Sequence, residues 1–135
     1  MKAIILTIII LAAVFLLAGK SNTGGDYLAI PLADITTTAS FYEHDGIKFF
    51  VVQAQDGSIK TAFDACDVCH GSKKGYRQEG DNMICNNCGN SYPISGLGTE
   101  NTKGGGCWPG YLPTTTQGQN LIISLSDIEK GRYRF

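Results

Sequence analysis

Two cysteine pairs are the residues of this sequence best suited to do chemistry. The first pair is Cys66 and Cys69, the second is Cys85 and Cys88, and fifteen residues separate the two pairs. Two residues between cysteines let both sulfurs of one turn reach the same ion, and two such turns from adjacent hairpins complete a tetrahedron. The spacing therefore predicts a metal centre with four thiolate ligands. It suits zinc, mononuclear iron or an iron–sulfur cluster.

Two further residues are candidate ligands of this centre. Cys107 lies in a glycine-rich stretch and is either an additional ligand or redox partner, or a buried or free thiol. His70 follows the first pair directly and is either an additional ligand or simply the residue after the turn. Between the pairs, Lys73, Lys74 and Arg77 either offset the negative charge of the thiolates or form a solvated loop face.

Three alternative interpretations of the cysteines remain open. Cys66, Cys69 and His70 also form the attachment motif of c-type haem, with His44 or Met83 as the second axial ligand, although a haem would leave the second pair without a role. In an oxidising compartment each pair can close as a disulfide, which would be redox-active because so short a loop gains little stability. Zinc without any redox role is the third alternative.

The composition indicates one folded domain and excludes several classes of protein. The chain has 135 residues, of which 43% are hydrophobic and 17% charged, so a disordered or collagen-like chain is excluded. Its 11 Lys+Arg and 12 Asp+Glu give a net charge of −1, which argues against a nucleic-acid binder. No catalytic Ser/His/Asp set or phosphate-binding loop is recognisable. We therefore expect a metal-binding or electron-transfer module without a small-molecule substrate rather than an enzyme.

An apolar run at the N-terminus predicts a membrane-targeting segment over residues 1–19. Residues 3–18 carry no charge, and the run has about the minimum length for a helix that spans a bilayer. It is either a transmembrane anchor or a cleaved signal peptide, and both carry the rest of the chain across the membrane. Lys2 favours an external C-terminal domain, held at the cell membrane by one span or, alternatively, secreted. A polar tether over 20–26 and a metal-binding domain over 27–135 follow.

The domain is predicted to be mostly β, as a small antiparallel sandwich or barrel preceded by one apolar helix. Asp-Gly turn signals at 45–46 and 56–57 separate strands rich in aromatic and β-branched residues. The predicted strands cover 38–44, 47–53, 59–63, 82–84, 91–94 and 120–125. A capping-box pattern predicts one helical turn at 126–129, and the glycine-rich segment 95–119 is expected to be an ordered loop.

Alternation along the strands predicts which side chains form the core. Side chains of a strand switch faces at every residue. The inner faces are predicted to be formed by Phe41, Ile47, Phe49, Val51, Ile59 and Phe63. Phe50 and Val52 then face the other way, under the glycine-rich segment and against Trp108. The two cysteine pairs are expected side by side at one end of the strands.

Four motifs resemble the membrane iron-sulfur-containing FtrD-like domain family. They are FDACDVC at 63–69, KGYRQEGD at 74–81, CNNCGN at 85–90 and GGCWP at 105–109. The resemblance extends over most of the exported part. It implies a membrane-associated iron–sulfur domain that works with a redox partner protein or an iron permease in ferrous-iron transport.

The same resemblance assigns the four paired cysteines as ligands, and Cys107 less directly. Large FtrD-type proteins have many membrane spans, whereas this chain has at most one, so it resembles a stand-alone version of the soluble domain. The resulting expectation is a membrane-tethered, extracytoplasmic domain for electron transfer or iron handling. A membrane-tethered monohaem cytochrome and a zinc-stabilised structural or interaction module are the alternatives.

A looser, architectural similarity is to Rieske-type domains. The segment IPLADI at 30–35, a hairpin with an Asp-Gly turn, two ligand loops and a Gly-x-x-Tyr-Pro segment after the second loop occur in the same order. In Rieske domains each ligand loop supplies one cysteine and one histidine, whereas each loop here supplies two cysteines. An all-sulfur ligand set favours a lower reduction potential than the mixed set.

Overall fold

The computed structural model describes residues 22–103 and 106–135. The predicted anchor or signal peptide over 1–19 lies outside the described residues. The described residues form eleven strands, one short α-helix and five 3₁₀ helices, which confirms the expectation of a mostly β domain. In the described part of the chain, no helix has both the length and the apolar character needed to cross a membrane.

The strands are between three and eight residues long. They are β1 (Asn22–Gly24), β2 (Tyr27–Pro31), β3 (Ser40–His44), β4 (Ile47–Gln53), β5 (Ile59–Cys66), β6 (Tyr76–Glu79), β7 (Asn82–Cys85), β8 (Ser91–Pro93), β9 (Pro109–Tyr111), β10 (Thr115–Gln117) and β11 (Asn120–Ser124). The helix α1 (Leu125–Glu129) directly follows β11. The 3₁₀ helices are Leu32–Asp34, His70–Ser72, Ile94–Gly96, Glu100–Thr102 and Arg132–Arg134.

The strands are arranged in three antiparallel sheets. The first sheet has the order β1-β2-β11-β10, the second β3-β4-β5-β9 and the third β6-β7-β8. Every strand pair in them is antiparallel, as the sequence predicted. Strand β1 falls within the segment 20–26 that was expected to be a polar tether, and it pairs with β2.

Two hydrophobic cores lie on opposite faces of the second sheet. The first core consists of Leu28, Ile30, Ile35, Ile47, Phe49, Val51, Phe63, Leu112, Leu121, Ile123 and Ile128. The second core consists of Phe50, Val52, Ala54, Ala62, Cys66, Tyr76, Met83, Cys85, Tyr92, Ile94 and Leu97. Because successive residues of β4 alternate between the two cores, the second sheet is the middle of three layers, and its two central strands are buried on both faces.

Most of the core prediction is confirmed. Ile47, Phe49, Val51 and Phe63 are buried together in the first core, and Ile59 packs against it. The prediction that the residues between them face the other way is confirmed as well, since Phe50 and Val52 belong to the second core. Trp108 packs against that second core, as expected.

The assignment of Phe41 to the inner face is wrong. The hairpin turn at 45–46 has two residues with positive φ, so it links β3 and β4 without a bulge. Across this turn Tyr42 lies opposite Phe49, whereas Phe41 lies opposite Phe50 and is 48% exposed. Across a two-residue turn, even-numbered residues of one strand pair with odd-numbered residues of the other. The residues on one face of the sheet therefore change from even to odd numbers at the turn, and the alternation of β4 cannot be extended unchanged into β3. Tyr42 therefore faces the first core, where its ring stacks on Phe49.

Other differences from the predicted elements have local causes. Strand β6 reads YRQE and has little apolar character, but its pairing with β7 makes it a strand. The segment 95–119 was expected to be a loop, yet it contributes β9 and β10 to two different sheets. Helix α1 begins at Leu125 rather than after a cap at Ser126, and Ser124 at its N-terminus makes no side-chain capping bond.

Candidate metal centre

The first cysteine pair lies where β5 ends. Cys66 is the last residue of that strand, and the chain then turns through Cys69 into the 3₁₀ helix His70–Ser72. The backbone N–H groups of Val68 and Cys69 donate hydrogen bonds to Cys66 Sγ at 3.1 and 2.8 Å. Such donors place partial positive charge beside a sulfur, which is the environment of a metal-bound thiolate.

The second pair occupies an equivalent turn after β7. Cys85 ends that strand, and its carbonyl accepts a hydrogen bond of 2.8 Å from the N–H of Gly89. Gly89 has a φ of 74°, in the left-handed region that favours glycine. Cys88 is exposed within the turn. The N–H of Asn86 donates to the carbonyl of Gly75 at 3.0 Å, which ties this turn to the end of the first loop.

Cys107 reaches the same place from the glycine-rich segment. Strand β9 begins two residues later at Pro109, which lies opposite Cys66 in the second sheet. The N–H of Cys107 donates a 2.9 Å hydrogen bond to the hydroxyl oxygen of Tyr92, and the hydroxyl of Tyr76 donates to the carbonyl of Cys107. The position of Cys107 is thus determined by a strand on one side and by two tyrosines on the other.

The five sulfurs form two groups of three that share one member. Cys66, Cys69 and Cys107 form one group, and Cys69, Cys85 and Cys88 form the other; within each group all sulfurs lie within 4.8 Å of one another. Cys69 Sγ and Cys107 Sγ are 2.7 Å apart. The structure thus brings the sulfurs of the four predicted ligands together and places the Cys107 sulfur beside them. Their role as metal ligands stays a prediction.

The donor set fits a metal bound by thiolates. It contains sulfur alone, and sulfur ligands select zinc, copper(I) or iron–sulfur centres over oxygen-preferring ions. All five cysteines are free. Cys66 and Cys85 are buried, Cys69 and Cys107 are half-buried, and Cys88 is exposed, so the sulfurs lie at the edge of the second core with one side toward solvent.

The contact between Cys69 and Cys107 separates the pKa values of the two thiols. Hydrogen bonds from Cys107 and then from Cys66 lower the pKa of Cys69 to about 7. The same contact, together with burial, raises the pKa of Cys107. Burial also raises the pKa of Cys85. In the absence of metal, Cys69 is therefore the more easily ionised thiol of this contact.

A pocket of about 190 Å³ opens beside the sulfurs. Sulfur donors and cationic side chains line it together, namely Cys66, Cys69, Cys85, Lys48, Lys73, Lys74 and Arg134. Two of the three basic residues between the cysteine pairs thus lie next to the site. The third, Arg77, instead makes an exposed ion pair with Glu79, with 3.0 Å between Nε and Oε1.

Arg134 ties the C-terminal 3₁₀ helix to the first cysteine turn. Its Nε donates a 3.0 Å hydrogen bond to Oδ1 of Asp67, which lies between the two cysteines of that turn. The guanidinium carbon is 4.8 Å from the centre of the Phe63 ring. A Cβ at Gly110 would lie 2.6 Å from Arg134 Nε, so only glycine leaves room for this side chain.

The remaining residues of the haem alternative lie in different environments. His70 lines the pocket but belongs to neither sulfur group, and its ring meets Tyr133 edge-on at 5.8 Å. Met83 is completely buried in the second core. His44 is half-buried at the end of β3.

Sequence reasoning missed three residues that position the cysteines. They are Tyr76, Tyr92 and Arg134. A signal was available for the tyrosines, because Tyr76 lies in the KGYRQEGD motif and Tyr92 in the Gly-x-x-Tyr-Pro segment after the second pair. Nothing in the sequence pairs Arg134 with Asp67, which lies 67 positions earlier.

A comparison with models of known protein families gives a match over most of the chain. The family model of the membrane iron-sulfur containing protein FtrD-like matches residues 32–135, which include all five cysteines. No curated protein matches the chain. Because the model covers most of the sequence, the chain belongs to the FtrD-like family of membrane iron–sulfur containing proteins.

Proposed function

We propose that this protein is a membrane-tethered domain that holds an iron–sulfur cluster outside the cytoplasm and transfers electrons in iron handling. The observation that carries the proposal is the pair of three-sulfur groups that meet at Cys69. Membership of a membrane iron–sulfur family supports it as well. A redox partner protein or an iron permease is the expected partner.

The arrangement of the sulfurs favours a centre with more than one metal. At a metal–sulfur bond of about 2.3 Å, as in zinc sites, the four sulfurs of one tetrahedral ion are all about 3.8 Å apart. The sulfurs here form two overlapping groups rather than one compact set of four. A sulfur set that is not one compact tetrahedron supports a cluster of two or more irons, held by separate cysteine thiolates, over a single ion.

The chain's own residues supply binding, charge compensation and shielding. The thiolates hold the metal, the two N–H groups at Cys66 Sγ stabilise negative charge, and Lys73 and Lys74 place cations beside the sulfurs. When bound, an iron–sulfur cluster supplies one-electron redox chemistry. The exposed Cys88 leaves one side of the site open to a partner protein.

The position of the second cysteine pair argues against a haem. The sulfurs of Cys85 and Cys88 lie within 4.8 Å of Cys69 Sγ. A haem attached through Cys66 and Cys69 would have to occupy the space next to this crowded sulfur group. A shared small metal centre gives every cysteine a role.

Anaerobic purification followed by metal and sulfide analysis tests the centre. We expect a brown protein that contains iron and acid-labile sulfide, and we expect the Cys85→Ala and Cys88→Ala variants to lose most of both. Ser91→Ala, an exposed change on the neighbouring strand, is the matched control and should keep its iron. A colourless protein with zinc, or a red one with a sharp Soret band, would contradict the proposal.

Protease accessibility tests the proposed location. We expect the protein in the membrane fraction, and we expect protease added to intact spheroplasts to digest the domain while a cytoplasmic marker survives. Digestion only after lysis would overturn the external location. A mature chain that starts near residue 19 and is recovered in the soluble fraction would replace the anchor with a cleaved signal peptide.

A further inference from the structure

The candidate metal centre contains one sulfur more than a four-thiolate centre uses. Cys107 lies within 4.8 Å of both Cys66 and Cys69. The second pair contributes two further sulfurs, so five are present for four positions. If one sulfur of the first pair is removed, Cys107 and the remaining sulfur of that pair still lie close together.

Two buried tyrosines hold Cys107 at this position. Tyr76 and Tyr92, which are 5% and 8% exposed, come from the sheet that also carries Cys85. One hydroxyl accepts from the N–H of Cys107 and the other donates to its carbonyl, so the backbone of this residue is fixed on both sides. Removal of either hydroxyl would leave one backbone group of Cys107 without this partner.

The residue after Cys107 is anchored too. The Trp108 ring packs 4.8 Å from the Tyr92 ring and lies so close to Gly96 that a Cβ there would be 2.5 Å from Trp108 Cη2. Strand β9 then continues from Pro109. Three aromatic side chains and strand β9 thus fix the position of Cys107. A cysteine without a role would not need such support.

We propose that Cys107 is a reserve thiolate ligand that takes the place of Cys66 or Cys69 in the metal centre, and that Tyr76 and Tyr92 hold it within reach. The proposal rests on the proposed function only in requiring a thiolate-bound metal. When Cys107 replaces Cys66 or Cys69, the metal–sulfur bond to the replaced residue is lost, a bond to Cys107 Sγ forms, and the Cys107 thiol proton passes to water, with no change in oxidation state. The centre then survives the loss of one sulfur of the first pair.

Alanine variants test the exchange, because alanine cannot bind metal as serine can. We expect Cys107→Ala alone to keep its full iron and sulfide content with an unchanged visible spectrum. Cys69→Ala should keep at least half of the metal with a shifted spectrum, and the double variant Cys69→Ala/Cys107→Ala should fall at least fivefold below it. Cys66→Ala, with and without Cys107→Ala, repeats the comparison at the buried member of the pair.

Removal of single hydroxyls tests the two tyrosines as positioning residues. In the otherwise unchanged protein, Tyr76→Phe and Tyr92→Phe should leave metal content and spectrum unaltered. In the Cys69→Ala background, where the centre depends on Cys107, each should lower metal content at least twofold. Tyr42→Phe, a half-buried tyrosine of the first core, is the matched control and should have no effect in either background.

Three outcomes would overturn the proposal. Equal metal contents in Cys69→Ala and its double variant would show that Cys107 does not replace the lost ligand. Loss of metal from Cys107→Ala alone would make Cys107 an ordinary ligand, and a disulfide between Cys107 and Cys69 in the metal-loaded protein would make it a redox partner. If the unchanged protein contains zinc instead of iron and sulfide, only the proposed function fails, and the same variants test the reserve ligand by their zinc content.

Discussion

Cys69 occupies a special position among the sulfurs of this site. It is the one residue that belongs to both three-sulfur groups, and it is in contact with Cys107 at 2.7 Å. Cys66 and Cys85 end their strands and are buried, whereas Cys69 is half-buried in a turn. Reagents therefore reach Cys69 more easily than either buried cysteine, and its chemistry reports on the state of the site.

Without metal, Cys69 should be the thiol that reacts fastest at neutral pH. Contacts with Cys107 and Cys66 lower its pKa to about 7. The reactive thiolate forms as pH rises through the pKa, so we expect alkylation by iodoacetamide to be half-maximal near pH 7 and to increase above it. Peptide mapping by mass spectrometry, on the reduced metal-free protein, measures the rate at each cysteine.

Cys107→Ala provides the control for this pH dependence. It removes the largest cause of the lowered pKa, so the midpoint for Cys69 should rise toward the ordinary thiol value of about 8.5. An unchanged midpoint in this variant would show that the contact with Cys107 does not control the ionisation of Cys69.

At the scale of single residues, spacing predicted the pairs but not their surroundings. The two-residue gap between cysteines is a local property, and it was sufficient to identify four candidate ligands. The placement of Cys107 depends on β9 pairing with β5 and on hydroxyls of two distant tyrosines. Such contacts depend on the tertiary structure, so they cannot be predicted from a single sequence.

Among the elements, the hairpin of β3 and β4 determines which aromatic residues are buried. Its two-residue turn places Tyr42 opposite Phe49 and leaves Phe41, half exposed, on the face of the second core next to Phe50. A register shift of one residue would exchange these roles, because strand side chains alternate between faces. The stability of variants in this hairpin is therefore a direct test of its register.

Phe49→Ala and Phe41→Ala should differ strongly in stability. Phe49 is completely buried in the first core, so its truncation should lower the free energy of unfolding by about 3–5 kcal/mol. Phe41 is 48% exposed, and its truncation should cost less than about 1 kcal/mol. Urea unfolding followed by circular dichroism measures both, and equal losses would contradict the observed register.

Strands with clear hydrophobic patterns were predictable, whereas strands that exist through pairing were not. Strand β4 reads IKFFVVQ and was predicted with its observed bounds. Strands β6 and β10 contain mostly polar residues and become strands because a neighbour supplies their hydrogen bonds. The length of an apolar pattern is visible in a sequence, but the identity of a pairing partner is not.

In the molecule as a whole, the candidate metal site belongs to one of the two cores. Cys66 and Cys85 are members of the second core, and Cys69 and Cys107 pack against it. The first core contains no cysteine. Metal binding should therefore stabilise the third sheet and its contacts more than it stabilises the first sheet, because binding and local folding are coupled at such sites.

Removal of the metal should loosen one side of the protein. We expect amide hydrogen exchange in β6, β7 and β8 to accelerate at least tenfold in the metal-free protein. Exchange in β2 and β11, which pair in the first sheet, should change little and serves as the internal control. Hydrogen–deuterium exchange with mass spectrometry makes the comparison, and uniform acceleration across all sheets would contradict the division into two cores.

The shared middle layer also constrains how the length of this chain can change during evolution. Deleting one residue inside β4 would turn every later side chain of that strand to the opposite face, so the contents of both cores would be exchanged at once. Insertions and deletions should therefore be easier to accommodate at the turns beside β4, such as the one at 55–57, than within the strand. Sequence changes in the layer with the candidate metal site and in the first sheet are therefore coupled, because β4 contributes side chains to both cores.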